Sequence, residues 1–220
     1  MRILNYGRRA LLAGVIVIAP LDWAVSPALA QKHTISIVIV RHAESDSSQE
    51  TAPLTAAGLQ RAELLAQTLR GVKFTHIFAS HTTRARQMVE KIASAHGKSV
   101  TQLPAPGSII DGQPVTDRTS RRAPIEPIAT ALLKLPPESI ALAALNSENI
   151  FGILNRLGVP VAPSGQSCAP GSMCVPCTDN SCYPRQEFDH IWHVVLEPGR
   201  TEPIALLQLR YGAGWQPSNR

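Results

Sequence analysis

The sequence predicts an α/β domain, a three-layer sandwich whose mostly parallel central sheet is flanked by helices. Three observations predict it. Short apolar runs recur along the chain, the first (ISIVIV) nearly continuous in β-branched residues, as strands buried on both sides are. Segments with apolar residues at helical spacing follow them. Polar residues suited to binding anions stand directly after three of the runs, where open parallel sheets carry their ligands.

The first strand is Ile35 to Val40 (ISIVIV), followed by a polar loop that ends in Pro53. A helix begins near Thr55, whose hydroxyl can cap it; Gly58, Ala62, Leu65 and Leu69 mark its buried face, and Gly71 stops it. Thr75 to Ala79 is a second strand with Ser80 to Thr83 as its exit loop. Ala85, Met88, Val89 and Ile92 form the apolar face of a second helix that stops at Gly97. Ser99 to Leu103 predicts a short strand. Residues 104–124, rich in Pro, Gly, Asp and Arg, have no period and predict a long surface loop. Ile125 to Leu135 predicts a third helix, Ser139 to Leu145 another buried strand, and Glu148 to Leu157 a fourth helix ended by Gly158. Two last strands, His190 to Leu196 and Ile204 to Leu209, form a hairpin turned by Glu197-Pro198-Gly199.

Residues 1–30 differ in kind. Arg2, Arg8 and Arg9 precede the apolar run Ala10 to Ala19, and Ala28-Leu29-Ala30 is a small-x-small end. This order predicts a secretory signal peptide cleaved after Ala30, with 31–220 as one domain. A membrane span needs about 20 apolar residues, and Pro20 and Asp22 cut this run short. Arg8-Arg9 also leaves a twin-arginine export signal open. The expected compartment is therefore periplasmic or extracellular. Residues 31–220 carry 18 Lys+Arg against 15 Asp+Glu, a net +3 compared with +5 for the whole chain. No basic stripe of the kind nucleic acid or a membrane surface requires is visible. A small anionic partner suits the balance.

Cys168, Cys174, Cys177 and Cys182 fall inside an insertion at about 159–186, rich in Pro, Ser and Gly. An exported chain meets oxidising surroundings, so two disulfides are expected, with the pairing open. The competing reading is a four-thiolate zinc site on Cys174-Val-Pro-Cys177.

Arg41-His42, Ser80 to Arg84 and Asn146-Ser147 should meet along one edge of the sheet. Arginine binds phosphate oxygens in a planar, two-pronged manner, and a neutral imidazole is a competent nucleophile near neutral pH. The neighbouring residues sharpen this reading. Val40-Arg41-His42-Ala43-Glu44, then Leu54-Thr55-Ala56-Ala57-Gly58-Leu59-Gln60-Arg61-Ala62, then Ser80-His81-Thr82-Thr83-Arg84-Ala85-Arg86-Gln87 occur in this order. Together they resemble the histidine phosphatase superfamily, with its phosphoglycerate-mutase-like fold, across most of 35–158 and 188–212.

The resemblance implies phosphate monoester hydrolysis through a phosphohistidine on His42, with Arg41 and Arg84 clamping the phosphate. Ser45 and His81 are further expected substrate contacts, and no metal or organic cofactor is expected. The ligand would be a small phosphorylated substrate or inorganic phosphate. A mutase fits less well, because an exported protein is cut off from glycolytic intermediates. Met88 departs from the family's usual Thr. The larger departure is Asn146, which stands where the family has a second histidine, in Leu145-Asn146-Ser147-Glu148-Asn149-Ile150. Asn donates hydrogen bonds without charge, and loss of one preorganised donor costs about 10²–10³ in rate, roughly 3–4 kcal/mol. Slow turnover is the expectation, and a binding protein that has lost catalysis is the alternative. For the proton donor, Glu44, Asp111, Asp117, Glu126 and Glu148 are available, with Glu148 favoured. His190 and His193, three apart on a strand, point to opposite faces and read as structural.

Overall fold

Alternation along β1 (Ile35–Arg41) divides the domain. Ile35, Ile37 and Ile39 enter one apolar layer while Val38 and Val40 enter the other. The structure, a computed structural model, describes residues 33–105, 109–110, 113–114, 125–162, 166–169, 173–178, 182–184 and 186–212. The expected signal peptide lies outside them, as do Asp111 and Asp117.

Around β1 stand α1 (Ala56–Thr68), β2 (His76–Ala79), α2 (Thr83–Ala95), β3 (Thr101–Gln102), β4 (Ile109–Ile110), β5 (Gln113–Pro114), α3 (Ile125–Leu133), β6 (Ile140–Leu145), α4 (Ser147–Arg156), β7 (His190–Leu196) and β8 (Ala205–Arg210). The main sheet runs β3-β2-β6-β1-β7-β8. β3, β2, β6 and β1 are mutually parallel, while β7 and β8 run antiparallel to their neighbours. The predicted sandwich is thus the observed one. Helices α1 and α2 cover one face through Ala62, Leu65, Met88, Val89 and Ile92; α3 and α4 cover the other through Ile128, Leu132, Ile150 and Leu154. Residues 197–204 connect the hairpin; within them Arg200 N–H donates to the Glu197 carbonyl at 3.0 Å, and Gly199 takes a φ of +87° that a side chain would resist.

Between residues 104 and 124 the expected loop contains a short antiparallel pairing, Ile109 opposite Pro114 and Ile110 opposite Gln113. Strands two residues long leave no periodicity for a sequence to reveal. Among the described residues no helix is long and apolar enough to cross a membrane.

Register decides where the site forms. Arg41 is level with Leu145 on β6, and Ala79 on β2 is level with Ala144. The three strands therefore end together. The next amides confirm it: His42 N–H donates to the Leu145 carbonyl at 3.0 Å and Ser80 N–H to the Ala144 carbonyl at 2.9 Å.

Candidate functional site

His42 leaves the sheet buried, with 7% of its surface exposed. Its Nδ1 donates to the carbonyl of Ala43 at 2.7 Å, and its Nε2 accepts from Nε of Arg84 at 3.1 Å. The first bond fixes the tautomer with the proton on Nδ1, so the lone pair lies on Nε2, facing Arg84. Burial, followed by the positive charges of Arg84 and Arg41, pushes the imidazole down to about 3, against a partial opposing effect of the Ala43 hydrogen bond. The ring is therefore a neutral base throughout the physiological range.

This has a measurable consequence. Between about pH 6.5 and 3 the unfolded chain binds a proton at His42 that the folded chain refuses. The folded state accordingly loses stability as pH falls through that window, by up to about 1.4 kcal/mol per pH unit from this one group. Imidazole ¹⁵N NMR is expected to show Nε2 of His42 unprotonated from pH 8 down to 5. Protonation with a midpoint near 6.5 would contradict this geometry.

Two buried guanidinium groups flank the ring, each 8% exposed. Arg84 reaches it from the second residue of α2, and its NH1 donates to the Gln49 carbonyl at 2.6 Å. Arg41, the last residue of β1, donates through NH1 to the carbonyls of Glu187 at 3.0 Å and Pro184 at 3.5 Å. It also lies over the ring of Phe188, at 4.0 Å from the centroid, and 5.7 Å from that of Tyr183. Carbonyl oxygens and ring faces orient a cation without neutralising it. Burial lowers both arginines from their ordinary value, which leaves them charged and poorly hydrated. Two desolvated cations beside a neutral imidazole form a cradle for an anion with several oxygens.

Residues outside the cradle lock it in place. Glu44 receives Arg61 in a two-pronged pair, Nε to Oε2 at 2.9 Å and NH2 to Oε1 at 2.6 Å. That pair holds the Glu44 carboxyl below the usual carboxylate range. The Glu44 carbonyl accepts from Thr55 N–H at 3.0 Å, and the Thr55 hydroxyl caps α1 by accepting from Gly58 N–H at 3.1 Å. Gln87 on α2 accepts from Leu54 N–H at 2.8 Å, tying the loop to the second helix. The three sequence motifs are thus one hydrogen-bonded unit.

Gly58 shows how tightly that unit is built. A Cβ there would stand 2.3 Å from the Glu44 carbonyl oxygen, inside van der Waals contact with backbone that cannot yield. Gly58→Ala is expected to cost about 3 kcal/mol, measured as a lower urea midpoint. An alanine variant as stable as the native chain would show that the loop does not pack on α1 in this way.

Asn146, 8% exposed, follows β6 and precedes α4. Its side chain does not cap its own helix. The Oδ1 atom instead accepts from the hydroxyls of Thr82 at 3.3 Å and Ser80 at 3.4 Å. Ser80 and Thr82 lie in the exit loop beside Arg84, so Asn146 belongs to the same cluster. With the carbonyl end held by the hydroxyls, the amide NH₂ is the end available to a ligand.

The other expected residues scatter. Ser45 donates to the Ser47 carbonyl at 3.1 Å and is half-buried. His81 lies in the exit loop with its Nε2 3.3 Å from Glu50, its side chain 8% exposed and its Nδ1 without a partner. Glu148 is exposed at the first turn of α4, within electrostatic reach of Arg84 and Arg41. Glu126 pairs with Arg156 at 2.7 Å on the surface. His190 binds Glu187 and Gln208, and His193 meets the Ser36 hydroxyl at 2.6 Å. Glu187, Asp189 and His190 converge, yet Arg210 pairs with both carboxylates.

The cysteines form two disulfides, Cys168–Cys174 and Cys177–Cys182. The four-thiolate zinc reading is thereby corrected: each sulfur is spent in a covalent bond, so none remains as a thiolate ligand. The segment around them is anchored by Val175, fully buried and bridged to Val161. It leads directly into Tyr183 and Pro184. These two residues, with Glu187 and Phe188, had no motif to mark them in the sequence.

Residues 37–105 match the family model described as histidine phosphatase superfamily, branch 1. One curated relative, the "Probable phosphoglycerate mutase GpmB" of Yersinia enterocolitica, is 35% identical over 77 residues. That match takes in 32% of this chain, and the chain spans 36% of the relative's length. Among solved structures, mycobacterial glucosyl-3-phosphoglycerate phosphatase superposes with a TM-score of 0.51 at 13% identity, covering 82% of this chain and all of its own. The protein histidine phosphatase SixA, complexed with tungstate, superposes at 0.49 with 16% identity, covering 80% of this chain and 97% of its own. At 13% identity the first of these likenesses is one of fold.

Proposed function

We propose that the chain is a member of the histidine phosphatase superfamily, whose model residues 37–105 match, and that it hydrolyses phosphate monoesters through a phosphohistidine on His42. The observation that carries the reading is the Arg84–His42–Ala43 chain of hydrogen bonds, which aims a neutral Nε2 lone pair at a guanidinium. A phosphate bound to Arg41 and Arg84 takes over the Arg84 Nε–H donor, which releases the Nε2 lone pair to face phosphorus. Nε2 then forms the N–P bond as the ester oxygen departs, and water cleaves the N–P bond to release phosphate. The arginines hold the non-bridging oxygens and absorb the charge that develops on them.

The leaving oxygen needs a proton. Glu44 is a poor source, because Arg61 keeps it ionised, and Glu126 is engaged on the surface with Arg156. Glu148, in reach of both clamp arginines at the start of α4, is the carboxyl left among the described candidates. Asn146 contributes a neutral donor where a cation would serve better, so we expect turnover to be slow.

The same residue favours a second reading, a phosphate-binding protein of this fold without turnover. An aryl phosphate such as p-nitrophenyl phosphate separates the two. Steady release of nitrophenol by purified native protein supports the hydrolase, and tight phosphate binding without release supports the binder. The proposed place of action is outside the cytoplasm, periplasmic or secreted, a reading that the two disulfides support.

A further inference from the structure

We propose that Phe188 is a positioning residue of the phosphate cradle: its ring holds the Arg41 guanidinium in register with His42 and shields the imidazole from water. The proposal rests on the reading of Arg41, His42 and Arg84 as a phosphate site.

Phe188 precedes β7, in the stretch that follows the cysteine-rich segment. Three groups of the site gather around its ring. The Arg41 guanidinium lies 4.0 Å from the centroid, in the range of a cation–π contact. The Arg61 guanidinium, which holds Glu44, lies at 5.9 Å. The ring of His42 stands at 6.4 Å, tilted by 50°. No other side chain described in the structure has ring contacts to both the nucleophile and a clamp arginine.

The backbone that carries the ring is held firmly. The Tyr211 hydroxyl donates to the Phe188 carbonyl at 3.0 Å, and Tyr211 N–H donates to the Asp189 carbonyl at 3.1 Å. Tyr211 is buried in the layer beneath α1. On the other side, the Glu187 carbonyl takes the Arg41 NH1 hydrogen bond. Backbone and ring of neighbouring residues therefore grip the same guanidinium from two directions.

The physical effect is preorganisation. A long arginine side chain loses rotamer entropy when it binds a phosphate, and a stacked guanidinium has already lost it. An aromatic face does this without supplying a negative charge that would compete with the ligand. An aliphatic side chain of similar bulk fills the space but lacks the electron-rich face. Truncation to alanine removes both. It also admits water to His42, whose surrounding charges are Arg84, Arg41 and Glu44.

The test compares native protein with Phe188→Tyr, Phe188→Leu and Phe188→Ala. Binding of inorganic phosphate is followed by calorimetry, turnover by p-nitrophenyl phosphate, and the His42 state by imidazole ¹⁵N NMR. Expected for Phe188→Leu is phosphate affinity weaker by about tenfold, with KM rising by a similar factor and kcat changing less. Phe188→Tyr is expected to stay within about twofold of native. Phe188→Ala is expected to move the titration of His42 upward, towards its ordinary value, while circular dichroism stays native. A leucine variant with native affinity and an alanine variant with an unchanged His42 titration would overturn the proposal. If the native protein neither binds phosphate nor turns over ester, the phosphate reading fails first. The NMR comparison still reports on the shielding role, so the two failures are told apart.

Discussion

Replacing Asn146 by histidine is expected to raise turnover of p-nitrophenyl phosphate by about 10²–10³-fold, with little change in the affinity for inorganic phosphate. The site is prepared for the exchange. Ser80 and Thr82 donate to Oδ1 of Asn146 and, by rotating their hydroxyls, can accept from an imidazole Nδ1–H in its place. Such a ring would turn its Nε2 towards Arg41, His42 and Arg84. A bound dianion would favour its protonated form, placing a third cation against the transferring oxygens. By linkage that cation also favours the bound dianion, but less than it favours the charge that builds in the transition state, so kcat rises by far more than affinity does. A native protein that is already fast, with no gain from Asn146→His, would show that Asn146 is not the weak point of this site.

His42→Ala is expected to lower kcat by about 10⁴-fold or more, as loss of a nucleophile does elsewhere. Phosphate affinity should change by no more than a few-fold, because Arg41 and Arg84 keep their anchors on the Glu187, Pro184 and Gln49 carbonyls. The separation of the two effects is the informative result. A variant that keeps more than a tenth of native turnover would remove His42 from the reaction. A variant that loses binding and turnover together would show that the imidazole holds Arg84 in place, through the 3.1 Å contact, more than it attacks phosphorus.

Most of the fold was legible because the signals were local. The uniform β-branched run of β1 announces a strand buried on both faces, and α1 shows its buried stripe and its capping threonine in one short window. The meeting of Arg41, Arg84 and Asn146 was legible for a different reason: parallel strands of similar length end together, and a residue just after each strand is carried to the same edge. The hydrogen bonding among the motifs was less accessible. Nothing in the spacing of Glu44 and Arg61, or of Leu54 and Gln87, says that they touch, although each belonged to a recognised segment.

What the sequence hid depends on long-range placement by backbone atoms. The carbonyls of Pro184 and Glu187 reach Arg41 across more than 140 residues, and a carbonyl carries no residue-type signature. Phe188 reads as an ordinary apolar residue before a strand until Arg41 is seen against its face. For the cysteines the sequence left the pairing open among three connectivities. Neighbouring cysteines pair here, Cys168 with Cys174 and Cys177 with Cys182, so each disulfide closes a small loop within the insertion.

The most direct test is to trap the reaction part-way. Native protein is mixed with an excess of p-nitrophenyl phosphate, quenched in alkali, where phosphohistidine survives and phosphoserine is lost, then digested and read by mass spectrometry. The predicted result is one added phosphate on the peptide that contains His42, absent from His42→Ala. Steady release of phosphate with the adduct on another residue, or with none, would contradict nucleophilic attack by His42.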